Sequence, residues 1–442
     1  MSGTDSVRVA RGTTRRSFLQ ASTVSAAALA GSLALQRAVH AAGTDSLKIG
    51  LVGCGGRGAG AVASALEADP GVQLTAMADA FIDRTQAARD ALRAQWGDRI
   101  AVDDARCFGD FDGCQRVLDS GVDVVLLAEA PHFRPAHIEA SVRAGVHVFA
   151  EKPMAVDAPG VRRVLAAGEV ARQKNVSLVS GFETRYSRNA REAVQRVHDG
   201  QIGRILALQS TYNTGPLWHR GRPPEWTEMQ FQLRNWYYFT WLSGDHLVEQ
   251  HVHYNDFMAW IMNEEPPRQA WGYGGRQVRT EAKFGDIFDH HAVVYEYEGG
   301  PRYYAFTRQQ PGCFNENFRL VLGTQGQLSS ERGMRILGLD GQIVWEAGRE
   351  ERPPELTCFE EMFSALRAGT PINDSVAMAR STMCAILGRM ATHGGQRVTW
   401  DEALASNLEL APQRYAWDAD PPVMPGPDGQ YPIPTPGVTT VL

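Results

Sequence analysis

Residues 244–256 read GDHLVEQHVHYND, with three histidines among Asp245, Glu249 and Asp256. Imidazole titrates near neutrality, and a neighbouring carboxylate can orient it, so the stretch has the parts for moving a proton. It also has parts for a divalent metal, since H-x-H is compatible with zinc, or it could be a polar patch without function. Helical phase narrows the choice. The apolar spacing Val248/Val252, then Phe257/Trp260/Ile261, predicts a helix over 248–261. At about 100° per residue, Asp245, His246, Glu249, His253, Asp256 and Trp260 share one face. His251 falls about 200° from Glu249, so the three imidazoles are not one cluster. Glu249 and His253 stand one turn apart as an acid/base pair. His246, a turn earlier, is a candidate substrate contact. Neither this stretch nor His290/His291 offers a full ligand set, so no metal is expected.

Such a pair needs a scaffold and something to act with. Leu47–Val52 reads as a buried strand, and Gly53, Gly55 and Gly58 follow as G-x-G-x-x-G, with Gly56 and Arg57 inside the loop. A small-residue helix opens directly after it. Glycines there let the backbone approach a pyrophosphate at the helix N-terminus. A second strand ends at Asp79, about 20 residues beyond the loop, where an acid bonds the adenosine ribose. That carboxylate favours NAD over NADP, although Arg84 lies close by. Further strands over 122–130, 146–155 and 176–186 continue a doubly wound parallel sheet. Ligands gather at the carboxyl ends of such strands. This nominates Pro131 and His132, Glu151 and Lys152, and Arg185. Lys152 follows an apolar strand and precedes Pro153, so it can donate to a substrate hydroxyl.

In order along the chain stand GCGGRG, APHFRPAH, AGVHVFAEKP, RY, GQIGRI and VHYNDFMAWI. Together they resemble the glucose–fructose oxidoreductase/inositol 2-dehydrogenase family, Gfo/Idh/MocA, over about residues 47–405. The resemblance implies a fold of α/β plus α+β type. An N-terminal Rossmann domain (43–180) would precede an open, mostly antiparallel sheet domain (181–411) that serves oligomer contacts. It implies that Lys152 contacts both nicotinamide ribose and substrate, and that His253 faces the nicotinamide. Glu249 stands where the family usually has Asp, and His251 where it usually has Gly.

The rest of the chain fits an exported sugar enzyme. Residues 211–235 form an insert-like stretch with Trp218, His219, Arg220, Arg222 and Arg234, followed by Trp236. Tryptophan faces and planar donors suit sugars, so Trp218, His219 and Trp236 join Arg185 and His246 as substrate candidates. Residues 412–442, rich in Pro and Gly, read as an extended arm packed on a neighbour or disordered. Residues 1–42 carry Arg15–Arg16, then Phe18–Leu19, an Ala/Ser/Leu run and small residues near Ala41, resembling a twin-arginine export signal. The expected location is therefore periplasmic, with a tightly bound cofactor cycled between two sugars. With 442 residues, 21% charged and a net charge of −6, the chain is not a nucleic-acid binder and has no membrane span. Partners are a sugar or glycoside and further copies of the chain, as a dimer or tetramer. Two rivals remain: an NAD-dependent glycosidase working by transient oxidation and elimination, and a non-catalytic sugar-binding protein.

Overall fold

The structure, a computed structural model, describes residues 46–442; the export signal expected at 1–42 lies outside the described residues. The first sheet contains β1 (Leu47–Val52), β2 (Val72–Ala78), β3 (Cys107–Phe108), β4 (Val124–Leu127), β5 (His147–Ala150) and β6 (Leu178–Ser180). Their order is β3-β2-β1-β4-β5-β6, and every pair is parallel. Parallel strands are covered on both faces, which is why they read as apolar runs; β4 is buried at all of its positions. The order reverses at β1/β4, and the helix Gly56–Ala68 starts beside that crevice. This is the doubly wound Rossmann arrangement.

The second sheet contains β7 (Ile205–Thr214), β8 (Gln269–Gly275), β9 (His290–Glu296), β10 (Arg302–Gln309) and β11 (Glu316–Gly323). It continues through β12 (Gly326–Ser329), β13 (Arg335–Gly338), β14 (Ile343–Glu346) and β15 (Val398–Thr399). Their order is β14-β13-β12-β11-β7-β10-β9-β8-β15, antiparallel throughout except for the β7/β10 pair. Strict alternation of buried and open positions in β9 leaves one face on the core. Helices Val252–Ile261 and Ser375–Gly394 cover that face. None of the helices among the described residues is long and apolar enough to cross a membrane.

The two domains interleave along the chain. The helix Pro354–Ala368 returns to the first domain, where Arg367 pairs with Asp69 at 2.7 Å. Leu178 of β6 bridges to Asn373. The arm expected to reach a neighbour instead packs on its own chain. Trp417 lies against Phe81 and Phe111, with ring centroids 5.1 and 4.7 Å away. Tyr431 meets Phe239 edge-on at 5.1 Å. Thr227 Oγ1 donates to Trp417 O, and Gln232 Nε2 donates to Val423 O, each at 2.7 Å. Aromatic residues, invisible to a Pro/Gly count, anchor the segment. Deleting residues 412–442 should lower stability by about 1–3 kcal/mol and raise binding of a hydrophobic dye at Phe81 and Phe111. An unchanged melting temperature with no added dye binding would contradict this packing.

Candidate active site

Gly53 adopts φ +92°, and a Cβ there would sit 2.3 Å from Glu129 N. Gly58 has no more room, since its Cβ would lie 2.0 Å from Gly53 O. These two glycines let the loop fold against β4. A Cβ on Gly55 would meet only Arg84 Nη2, at 3.6 Å, and one on Gly56 would meet nothing, and no side chain caps the helix they start. Uncapped N–H groups at a helix N-terminus attract an anion. The loop opens into a crevice of about 410 Å³ that reaches Asp79, Arg84 and Ala130. Asp79 accepts from Cys54 N at 2.9 Å and from Phe81 N at 3.1 Å, which fixes its carboxylate at the crevice edge. These features fit a dinucleotide, with the pyrophosphate on the loop and a ribose at Asp79.

Lys152 stands two residues past the end of β5, and Pro153 follows it through a cis peptide. Its Nζ donates to Glu249 Oε1 at 2.8 Å and to Glu249 O at 2.6 Å. Both side chains are about nine-tenths buried. An ammonium has three donors, so one remains for a substrate oxygen. His253 lies near this pair, edge-on to Phe182 at 6.3 Å, and neither ring nitrogen has a hydrogen-bond partner among the described residues. Burial, and then the Lys152 charge, hold its pKa well below the ordinary imidazole value. A neutral imidazole beside a cationic donor can accept a proton from a hydroxyl that the donor polarises.

The predicted helix over 248–261 is interrupted. A four-residue turn, His246–Glu249, ends at Gln250, and a new helix begins at Val252. Glu249 therefore faces Lys152 and makes no hydrogen bond to the imidazole of His253. His251 does leave the common face: its Nε2 meets Ser210 Oγ at 2.8 Å.

Other candidates go elsewhere. His246 is fully buried, its Nδ1 on Asp245 Oδ1 at 2.9 Å and its ring 4.8 Å from that of His291, so it cannot touch a sugar. Burial lowers its pKa to about 4. Arg185 is committed to Asp256 and to Glu264, each at 2.8 Å, under Trp260. Trp218 and Trp236 line the crevice with Asp79 and Arg84, where they would wall a bound dinucleotide. The insert is carried there by Arg234, which pairs with Asp83 at 2.8 Å and lies 3.8 Å over the Phe81 ring. His219 packs on Tyr238 and Phe231. Pro131 is buried, and His132 turns away from the loop to Tyr415 OH, 2.7 Å distant. Glu151 and Arg57 pair at 2.6 Å, and Arg57 also binds Glu355 at 2.9 Å. Glu129, Phe111 and Arg220 also line the crevice without having been singled out from sequence as cofactor contacts.

A glycine loop at the switch point of a parallel sheet, with Lys152 paired to Glu249 across two domains and its charge acting on His253, defines a dinucleotide-binding oxidoreductase scaffold. Residues 47–182 match a model described as the oxidoreductase family with an NAD-binding Rossmann fold, and residues 190–329 match the GFO/IDH/MocA C-terminal domain. The chain belongs to the GFO/IDH/MocA oxidoreductase family. It is 25% identical over 240 residues to a myo-inositol 2-dehydrogenase of Thermotoga maritima, covering 54% of this chain and 61% of that protein. It is 32% identical over 179 residues to inositol 2-dehydrogenase 2 of Saccharopolyspora erythraea, covering 40% and 47%. The chain thus matches less than two thirds of the length of these relatives. The WlbA dehydrogenase from Bordetella pertussis, solved with NADH and UDP-GlcNAcA, shares the fold with a TM-score of 0.60 and 18% identity, over 80% of this chain and 98% of that one. A levoglucosan dehydrogenase, solved with NADH and levoglucosan, gives 0.62 and 17%, over 80% and 99%.

The low pKa of His253 makes a pH prediction. A base whose pKa is depressed is already neutral below the ordinary value of about 6.5, so the His253 NMR titration should fall below that pH. In Lys152→Met one of the depressing causes is gone, and the titration should move upward. A His253 midpoint at or above 6.5 in the unsubstituted protein, or no shift in Lys152→Met, would contradict the assignment.

Proposed function

We propose that the protein moves hydride between a nicotinamide and a secondary hydroxyl or ketone of a sugar or glycoside. The observation that carries this reading is the Lys152–Glu249 pair, with one ammonium donor left over beside a neutral His253. When bound, the nicotinamide supplies the hydride acceptor. Lys152 would hold the substrate oxygen and stabilise charge as it develops there. His253 would take the hydroxyl proton, and Glu249 would fix the ammonium. The sugar and polyol dehydrogenases among the relatives support this substrate class.

Asp79, held at the crevice edge, favours NAD by repelling a 2′-phosphate, while Arg84 provides the opposite pull. We further infer a periplasmic protein, exported folded through the twin-arginine route with its cofactor already bound. The Trp218/Trp236 wall supports retention, because it gives the crevice a second side. A homo-oligomer is part of the same reading, tested by light scattering.

Lys152→Ala and His253→Ala should each lower turnover by about 10²–10⁴-fold while a thermal melt reports that the chain remains folded. Full turnover in either variant would remove its assigned role. Denaturing mass spectrometry of freshly purified protein should release a nicotinamide dinucleotide; its absence would count against retention. With a nitrophenyl glycoside, oxidation without nitrophenol release is expected. Release without net cofactor reduction would instead assign glycoside cleavage.

A further inference from the structure

Away from the crevice, one carboxylate collects three imidazoles. Asp245 Oδ2 lies 2.9 Å from His393 Nε2, and Oδ1 lies 3.4 Å from His291 Nε2 and 2.9 Å from His246 Nδ1. All four residues are at most 4% exposed. The candidate ligand atoms of Asp245, His291 and His393 lie within 4.8 Å of one another. They come from three elements: the residue before the turn His246–Glu249, strand β9, and the last turn of helix Ser375–Gly394.

Two details favour a cation at the centre over hydrogen bonds alone. His291 Nδ1 lies 2.9 Å from Thr392 Oγ1, and that hydroxyl donates back to Gly388 O or Arg389 O. In that arrangement Thr392 accepts from Nδ1–H, and the neutral ring turns a bare Nε2 toward the carboxylate. His291 Nε2, though buried, has no hydrogen-bond partner, and neither has His246 Nε2. A lone pair on His291 Nε2 facing the Asp245 carboxylate at 3.4 Å in a dry interior calls for a positive charge between them. Asp245 itself adopts φ +74°, a backbone region that disfavours side chains and persists only where surroundings enforce it. Phe288 N, donating to Oδ2 at 2.9 Å, is part of that enforcement.

We propose that Asp245, His291 and His393 bind a divalent first-row transition ion, in the first instance zinc. Two imidazoles and a carboxylate form a recognised zinc donor set, with bonds of about 2.0–2.2 Å. Tetrahedral ligands at that range stand about 3.3 Å apart; the two imidazoles lie 2.9 and 3.4 Å from the two oxygens of the one carboxylate. Water completes the coordination, and Thr392 orients His291 from outside. The site is closed to substrate, so the ion is structural. It braces Asp245, and through the turn that follows, Glu249 and Lys152.

The test reads metal content and melting, not turnover, so it stands or falls apart from the proposed hydride chemistry. Full-length protein from a zinc-supplemented culture should carry about one zinc per chain by plasma mass spectrometry. Dipicolinate should strip the ion and lower the melting temperature by about 5 °C or more, and zinc sulfate should restore it. Asp245→Asn and His393→Gln should lose the metal, while His253→Gln should retain it. Unsubstituted protein without stoichiometric metal, whose melting responds to neither chelator nor zinc, overturns the site and leaves a protonated histidine network. Metal retained in both Asp245→Asn and His393→Gln, or lost from His253→Gln, overturns the ligand assignment.

Discussion

The contact between Lys152 and Glu249 joins the two halves of the protein at the place where chemistry is expected. Lys152 leaves the end of β5 in the first sheet, and Glu249 closes a turn of the second domain. Both are nearly buried, so each charge would be costly alone, and the pair is tolerable only because both members are present with good geometry. The backbone carbonyl of Glu249 takes a second ammonium proton. That double hold leaves the lysine little freedom of position. The register of the domains and the aim of the ammonium are therefore the same constraint.

The nucleotide crevice is shared in a similar way. Its floor is the glycine loop and Asp79, local to the first domain. Its wall is Trp218, Arg220 and Trp236 from the second. Arg234 on Asp83 ties the wall down, and the C-terminal arm lays Trp417 behind it on Phe81 and Phe111. The aromatics that look like a sugar platform in isolation become part of a nucleotide enclosure once the chain returns on itself.

That difference marks what sequence makes legible. The glycine loop, Asp79, and the strand bearing Lys152 are readable because their meaning lies within a few residues: a strand, a turn without room for Cβ, a helix start. The buried runs of β1 and β4 and the alternation of β9 likewise announce the two kinds of sheet. The 244–256 stretch was only half legible. Angular arithmetic holds while a helix is unbroken, and here it breaks at Gln250, which sends Glu249 to Lys152 and away from His253. The environment of His246 depends on His291 and on Asp245, whose other partner His393 is 148 residues away. No local period encodes such a contact.

The break at Gln250 also explains why a strained aspartate is tolerable just before it. A continuous helix through Asp245 would carry that carboxylate round the helix face with His253 and Asp256. With φ +74°, Asp245 turns inward instead, and its carboxylate is held by Phe288 N, His246 and His393, with His291 Nε2 3.4 Å away. Strain of about 1–3 kcal/mol at such a residue persists only where the surroundings over-determine it. The residues so determined are the four that follow, and the last of them is Glu249. The buried histidine cluster and the Lys152 pair are thus two ends of one short turn. Loosening the first would misplace the second, although no atom of the cluster faces the nucleotide crevice.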